Sequence, residues 1–186
     1  MRHTIASCGL WFTAALLSAC GGGSSGTGAE PASSANVSRS AEPTCDIAGF
    51  AGQVVASLNA ARATARTCGA ATLPPAPPLS WNAALAEAAG GHAADMASVG
   101  FFSHTGSNGS HYLERIAASG YQGATGSEIL ARTERIATPA MLPVSMDAWL
   151  KSPPHCAALM RADLTEVGAA CQRGGGYAFI AVDFGG

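Results

Sequence analysis

Phe101-Phe102-Ser103-His104-Thr105-Gly106, followed downstream by Trp149-Leu150-Lys151-Ser152-Pro153-Pro154-His155, are the two stretches around which the chain can be read. Each places one histidine just beyond a segment with helical apolar spacing. Upstream of the first, residues Ser80 to Ser98 carry a stripe of Trp81, Leu85, Ala88, Ala89, His92 and Met96, the i, i+3/i+4 pattern of an amphipathic helix. His92 on that stripe, with Asp95 close by, reads as a hydrogen-bonded core histidine before it reads as a ligand. Upstream of the second, Met146, Trp149 and Leu150 belong to a helix that starts at Thr138-Pro139 or Leu142-Pro143, since proline suits a first helical turn.

Working outward, a first helix is predicted over Asp46 to Arg66, with Ile47, Phe50, Val54, Leu58 and Ala61 on one face. Leu73-Pro74-Pro75-Ala76-Pro77-Pro78-Leu79 excludes a helix and reads as an extended connector. A short helix over Ser110 to Ser119 stops at Gly120, and Gly-rich turns are expected around Ser127-Glu128-Ile129-Leu130. A helical piece at Ala157 to Met160 precedes two strands, Leu164 to Cys171 and Tyr177 to Phe184, joined by Gly174-Gly175-Gly176. In the last strand Tyr177, Phe179 and Ala181 alternate with Ile180, Val182 and Phe184. Both faces are apolar, so layers are expected on both sides of the sheet.

The chain has 186 residues and a formal net charge of −2, enough for one modest domain with appendages. No basic field is present to hold nucleic acid. Residues 1–19 combine a basic start (Arg2, His3), an apolar run from Leu10 to Leu17 too short to span a bilayer, and small residues before Cys20, the pattern of a secretory signal. Leu17-Ser18-Ala19-Cys20 resembles the lipobox of bacterial lipoproteins, which implies lipidation at Cys20 and a membrane partner through that anchor. Residues 20–44 are rich in Gly, Ser, Ala and Pro and read as a lipidated flexible linker. The absence of aspartate after Cys20 points to the outer membrane, the domain being periplasmic or surface-facing. Gly22-Gly23-Ser24-Ser25-Gly26 matches a nucleophile motif formally, but no strand or helix flanks it to build the elbow. The sequons at Asn36 and Asn108 are discounted for a bacterial exporter.

With Cys8 removed and Cys20 acylated, Cys45, Cys68, Cys156 and Cys171 remain for the 45–186 domain. An exported chain meets an oxidising compartment. Of the three pairings that four cysteines allow, the sequence-local bridges Cys45–Cys68 and Cys156–Cys171 are expected, each contributing on the order of 3 kcal/mol.

The order Leu58-Asn59-Ala60-Ala61-Arg62, Leu79-Ser80-Trp81-Asn82, Phe102-Ser103-His104, Gly120-Tyr121, Glu128, Trp149-x-x-Ser152-Pro153-x-His155, Glu166-Val167-Gly168 and Asp183-Phe184-Gly185 resembles the CAP superfamily. That group comprises cysteine-rich secretory proteins, antigen 5 and pathogenesis-related class one proteins; the SCP domain is its shared module, and the chain resembles its bacterial branch. The resemblance covers about residues 46 to 186. It implies an α+β fold, an α-β-α sandwich with a central antiparallel sheet, and a cleft in which plant and animal members hold two histidines and two glutamates that bind divalent metal such as zinc. Carried over, His104 and His155 match the histidines and Glu128 one glutamate. Ser152 stands where the other glutamate would be, Ile129 replaces the usual asparagine, and Asn108 stands where many bacterial members have aspartate.

Two imidazoles and one carboxylate are the minimum set for zinc with an open position for water. Ser152 or Asn108 could supply the outer hydrogen bonds that fix the imidazoles. Without metal, the same groups would tie loops to helices. The expected function is a non-catalytic, monomeric binding module with a groove for an apolar ligand or an envelope or extracellular protein; the alternative is a metal-assisted hydrolase of peptide or envelope polymer. No H-E-x-x-H and no placed nucleophile favours catalysis.

Overall fold

The computed structural model describes residues 43–134 and 137–186. The signal segment, Cys20 and all but the last two residues of the linker lie outside the described residues. The element order is α1 (Phe50–Arg62), β1 (Arg66–Cys68), β2 (Ala71–Leu73), β3 (Ser80–Trp81), α2 (Ala83–Val99), α3 (Tyr112–Ala118), β4 (Gly126–Glu134), α4 (Thr138–Lys151), α5 (Pro153–Leu159), β5 (Glu166–Gly174) and β6 (Tyr177–Gly185).

The main sheet has the order β3-β5-β6-β4. β6 pairs antiparallel with both β4 and β5, and only the two-residue β3 runs parallel, against the start of β5. The two apolar faces of β6 meet different layers. Ile180, Val182 and Phe184 join α1, α4 and α5 in one core, and Phe179 and Ala181 pack with Ala89, Ala93 and Met96 of α2. The result is the expected α-β-α sandwich with an essentially antiparallel centre.

Small residues set the α2 layer. A Cβ on Gly168 of β5 would fall inside the backbone of Leu85 and Ala86, and one on Gly174 would collide with Ala97. Helix and strand therefore approach to backbone contact along the whole length of β5, which an alanine-rich α2 permits. Asn82 caps α2, its side chain accepting from the amides of Ala84 and Leu85.

The first helix is shorter than its periodicity predicts. Cys45 and Asp46 have φ of 51° and 62°, and Gly49 has φ of 61°, so the chain enters through left-handed turns and becomes helical only at Phe50. At the other end Arg62, completely buried, donates to the carbonyls of Pro77 (2.8 Å), Leu159 (2.5 Å), Arg161 (3.0 Å) and Leu164 (2.8 Å). Asn59 both donates to and accepts from the backbone of Leu79. The Leu58-to-Arg62 motif thus clamps the proline-rich connector and the approach to β5 onto α1. Residues 66–73 form a small hairpin that the apolar pattern did not signal.

Two sequence expectations are corrected. Residues 126–134 are a nine-residue strand, not Gly-rich turns: pairing with β6 over its whole length and burial of Ile129 and Leu130 override the local glycine signal. His155 lies in the first turn of α5 and not ahead of it, because Pro153 and Pro154 open that helix.

The cysteines also pair otherwise than expected, as Cys45–Cys171 and Cys68–Cys156. Cys171 donates its amide to Pro43 O, and Thr44 bridges to Cys171, so the entering chain lies beside β5 and delivers Cys45 to it. Cys68 ends β1, where Gly69 rests on Pro153 at the start of α5, one turn from Cys156. The Cα–Cα distances of 5.2 and 5.4 Å suit both bridges. With separations of 126 and 88 residues, each removes more unfolded-chain entropy than a local bridge, close to ~5 kcal/mol in the chain-entropy account.

Candidate functional site

Strand register builds the site. Glu128 of β4 and Gly168 of β5 both stand opposite Asp183 of β6. The twofold alternation puts these three on the sheet face that carries Leu130, Ala170 and Ala181, the face covered by α2. Two carboxyls therefore lie side by side in a buried layer, with relative exposures of 6% for Glu128 and 0% for Asp183.

Glu128 is fully partnered. Its Oε1 lies 2.7 Å from His104 Nδ1, and its Oε2 accepts from Arg115 Nη2 at 2.7 Å. Arg115, on α3, also donates to the carbonyls of His104 (3.1 Å) and Ser110 (2.8 Å), so one guanidinium fastens the 104–110 loop to the carboxylate. His104 leaves its ring half exposed, with a side-chain exposure of 48%. Because Nδ1 donates to a carboxylate, the outward-facing nitrogen is Nε2.

His92 supports the same loop from α2. Its Nε2 lies 2.8 Å from Ser103 O and 3.9 Å from Glu128 Oε2. A carbonyl can only accept, so Nε2 carries the proton. Burial holds this imidazole below the usual histidine value, against the opposing pull of Glu128.

Asp183 has no hydrogen-bond partner on either oxygen. Burial first, and the neighbouring Glu128 second, push its carboxyl well above the usual range, with Arg115 opposing. Of the two adjacent carboxyls, Glu128 is the one paired with the cations, and Asp183 is the one whose environment holds its proton.

The residues singled out from sequence divide accordingly. His104 and Glu128 are bonded to each other. His155, half-buried on α5, is held below the usual histidine value by burial first and then by the charge of His104, and no hydrogen bond joins the two rings among the described residues. Ser152 joins α4 to α5, and its side chain makes no capping bond. Asn108 turns the loop, its Oδ1 accepting from Ser110 N at 2.9 Å. Sequence reasoning misses Arg115 and Asp183. Arg115 sits in a short helix with no motif around it, and Asp183 enters the sequence reading only through the terminal Asp183-Phe184-Gly185 motif, its isolation in an apolar strand being a further signal.

The donor set fits an ion-pair cluster better than a metal centre. Both oxygens of Glu128 are taken, and a guanidinium stands where a bound cation would neutralise it. Among the described residues no three His, Cys, Asp or Glu side chains form a metal-holding group.

Comparison with known proteins gives the lineage. The cysteine-rich secretory protein family (CAP) profile matches residues 55–184. Solved structures that resemble the chain include an outer surface protein from Borrelia burgdorferi, at 25% identity and a TM-score of 0.49 over 57% of this chain and 76% of that one. An extracellular protein containing an SCP domain from Bacillus anthracis matches at 21% identity and 0.49, over 59% and 34%. Na-ASP-1 matches at 12% identity and 0.53, over 73% and 39%, a likeness of fold. The last two are much longer proteins, of which this chain spans less than half. No curated protein matches the chain significantly. The profile covers most of the sequence and both histidine segments, and the chain belongs to the cysteine-rich secretory protein (CAP) family.

Proposed function

We propose that the chain is an exported, lipid-anchored, non-catalytic binding module, in which the His104–Glu128–Arg115 cluster braces the rim of a recognition surface. The occupancy of both Glu128 oxygens carries this reading. A carboxylate committed to an arginine and a histidine is neither a free base nor a free ligand. The two disulfides favour export to an oxidising compartment. Residues 1–19 would act as the signal, Cys20 as the lipidated residue, 20–44 as the linker and 45–186 as the displayed domain. Phe102, two residues before His104, is 43% exposed beneath Arg132, whose guanidinium carbon lies 5.5 Å from the ring centre. An exposed aromatic at the rim favours an apolar ligand or a protein partner of the envelope.

The test is metal analysis and hydrolytic assay of the purified full chain beside His104→Ala and His155→Ala. The proposal expects metal-free, folded protein without turnover of peptide or envelope polymer. Stoichiometric zinc and turnover, both lost in the two variants, would replace it with the metal-assisted hydrolase. Cys20→Ser should move the protein from the membrane to the soluble fraction; unchanged fractionation would remove the anchor from the reading.

A further inference from the structure

Asn108 and Gly109 are both exposed, in the loop between α2 and α3. Of the four asparagines in the chain, Asn36, Asn59, Asn82 and Asn108, only the last precedes a glycine. The backbone nitrogen that follows an asparagine can attack its side-chain carbonyl carbon, and a glycine there has no Cβ to crowd the five-membered ring that forms. Asn108 Oδ1 accepts from Ser110 N at 2.9 Å. That bond folds the side chain back along its own backbone, towards the Gly109 amide, and sets a donor on the oxygen where negative charge would develop during attack. The asparagines of the helices are held otherwise. Asn59 is bonded through both Oδ1 and Nδ2 to Leu79, and Asn82 gives Nδ2 to Glu166 while its Oδ1 caps α2. Among the described residues Asn108 is bonded through Oδ1 alone.

We infer that Asn108 is a site of spontaneous deamidation on the folded protein, with water as the only co-reactant. Gly109 N gives its proton to water or hydroxide and attacks Asn108 Cγ. As the new Cγ–N bond forms, the Cγ–Nδ2 bond breaks and the side-chain nitrogen leaves as ammonia. Water then opens the cyclic imide, at the Cγ–N bond to leave aspartate or at the backbone C–N bond to leave isoaspartate, with no change of oxidation state. Gly109 N–H donates to Gly106 O at 2.9 Å, and this bond at an exposed tip is the one the reaction has to open first.

The product alters the rim that carries His104. Gly106 N donates to Ser110 O, and Arg115 fastens the carbonyls of both Ser110 and His104. Isoaspartate inserts a methylene into the backbone of this turn. Asn108 Oδ1 and Asp95 Oδ2 lie 3.0 and 3.4 Å from the point where a Cβ on Gly106 would stand. Either product therefore sets a second carboxylate beside Asp95, which holds Ser107 through both its oxygens, and like charges so placed repel. Ageing loosens the loop and makes it more acidic, whatever the rim recognises.

The test is incubation of the full chain at physiological temperature, from weakly acidic to weakly alkaline pH, followed by peptide mapping with mass spectrometry. Asn108 should convert to a mixture of aspartate and isoaspartate, at a rate that rises with pH and exceeds that of Asn59 or Asn82 by about tenfold or more. In the folded protein the rate should be no less than about a tenth of that in the urea-unfolded chain. Modified protein, separated by anion exchange, should show faster hydrogen exchange of the 104–110 amides than the unmodified form. Conversion at Asn108 no faster than at Asn59 or Asn82, aspartate formed without isoaspartate, conversion confined to the unfolded chain, or unchanged exchange in the loop would overturn the inference.

Discussion

Replacing Asp183 by asparagine should stabilise the protein, and by an amount that grows with pH. Asp183 is fully buried, lacks a hydrogen-bond partner on either oxygen, and stands opposite Glu128 in the β4–β6 register. Burial and the adjacent charge raise its folded-state value. A group raised on folding contributes its stability fully below the unfolded value, about 3.9 for aspartate, and that contribution is lost as pH rises through the folded value. Over the interval in which folded Asp183 keeps its proton and the unfolded chain has released it, the wild type loses about 1.4 kcal/mol per pH unit. Asparagine is nearly isosteric with the protonated acid and is just as poorly bonded there, so the variant should match the wild type near pH 4. Above that it should gain by that slope for as long as folded Asp183 keeps its proton. Urea denaturation of both proteins at several pH values from 4 to 8 measures the difference directly, with the slope m as a check that the unfolded states are comparable. A stability difference that stays flat across this range, or one that favours the wild type increasingly as pH rises, would refute the assignment of the proton to Asp183.

Three further outcomes follow from particular contacts. Arg62→Met should destabilise by about 3 kcal/mol or more by removing the donor from four carbonyls, two of them buried, and Arg62→Lys should recover only part of this because an ammonium cannot reproduce the guanidinium fork; a denaturation midpoint unchanged in both would contradict it. Gly168→Ala forces α2 off β5, so circular dichroism should show a strongly lowered melting temperature, beyond the typical ~1 kcal/mol of a point substitution, and near-wild-type melting would show that the layer is softer than described. Cys68→Ser/Cys156→Ser and Cys45→Ser/Cys171→Ser should each lower stability by several kcal/mol, within ~2–5, while peptide mapping under non-reducing conditions should recover only the 45–171 and 68–156 linked pairs. Recovery of a 45–68 peptide would restore the local pairing.

The layering was legible because it rests on periodicity. The double-sided apolar alternation of Tyr177 to Phe184 requires helices on both sheet faces, and the stripe from Trp81 to Met96 supplies one of them. His104 and Glu128 were legible only through the family motif. Nothing in their spacing says that a β4–β6 register aims the carboxylate at the loop after α2.

What the sequence by itself determined is the main helices and the last two strands, the apolar faces that must be covered, the cysteines available for bridging and the two histidine segments, because these depend on residue type and local period. The tertiary structure decided which cysteines meet, that Ser127 to Leu130 is a strand, that Arg62 holds three distant carbonyl segments together, and that Arg115 and Asp183 complete the cluster around Glu128. Those outcomes depend on strand register and on the close approach allowed by Gly168 and the alanines of α2. Both bring together residues far apart in the chain, and no local pattern encodes which of them will touch.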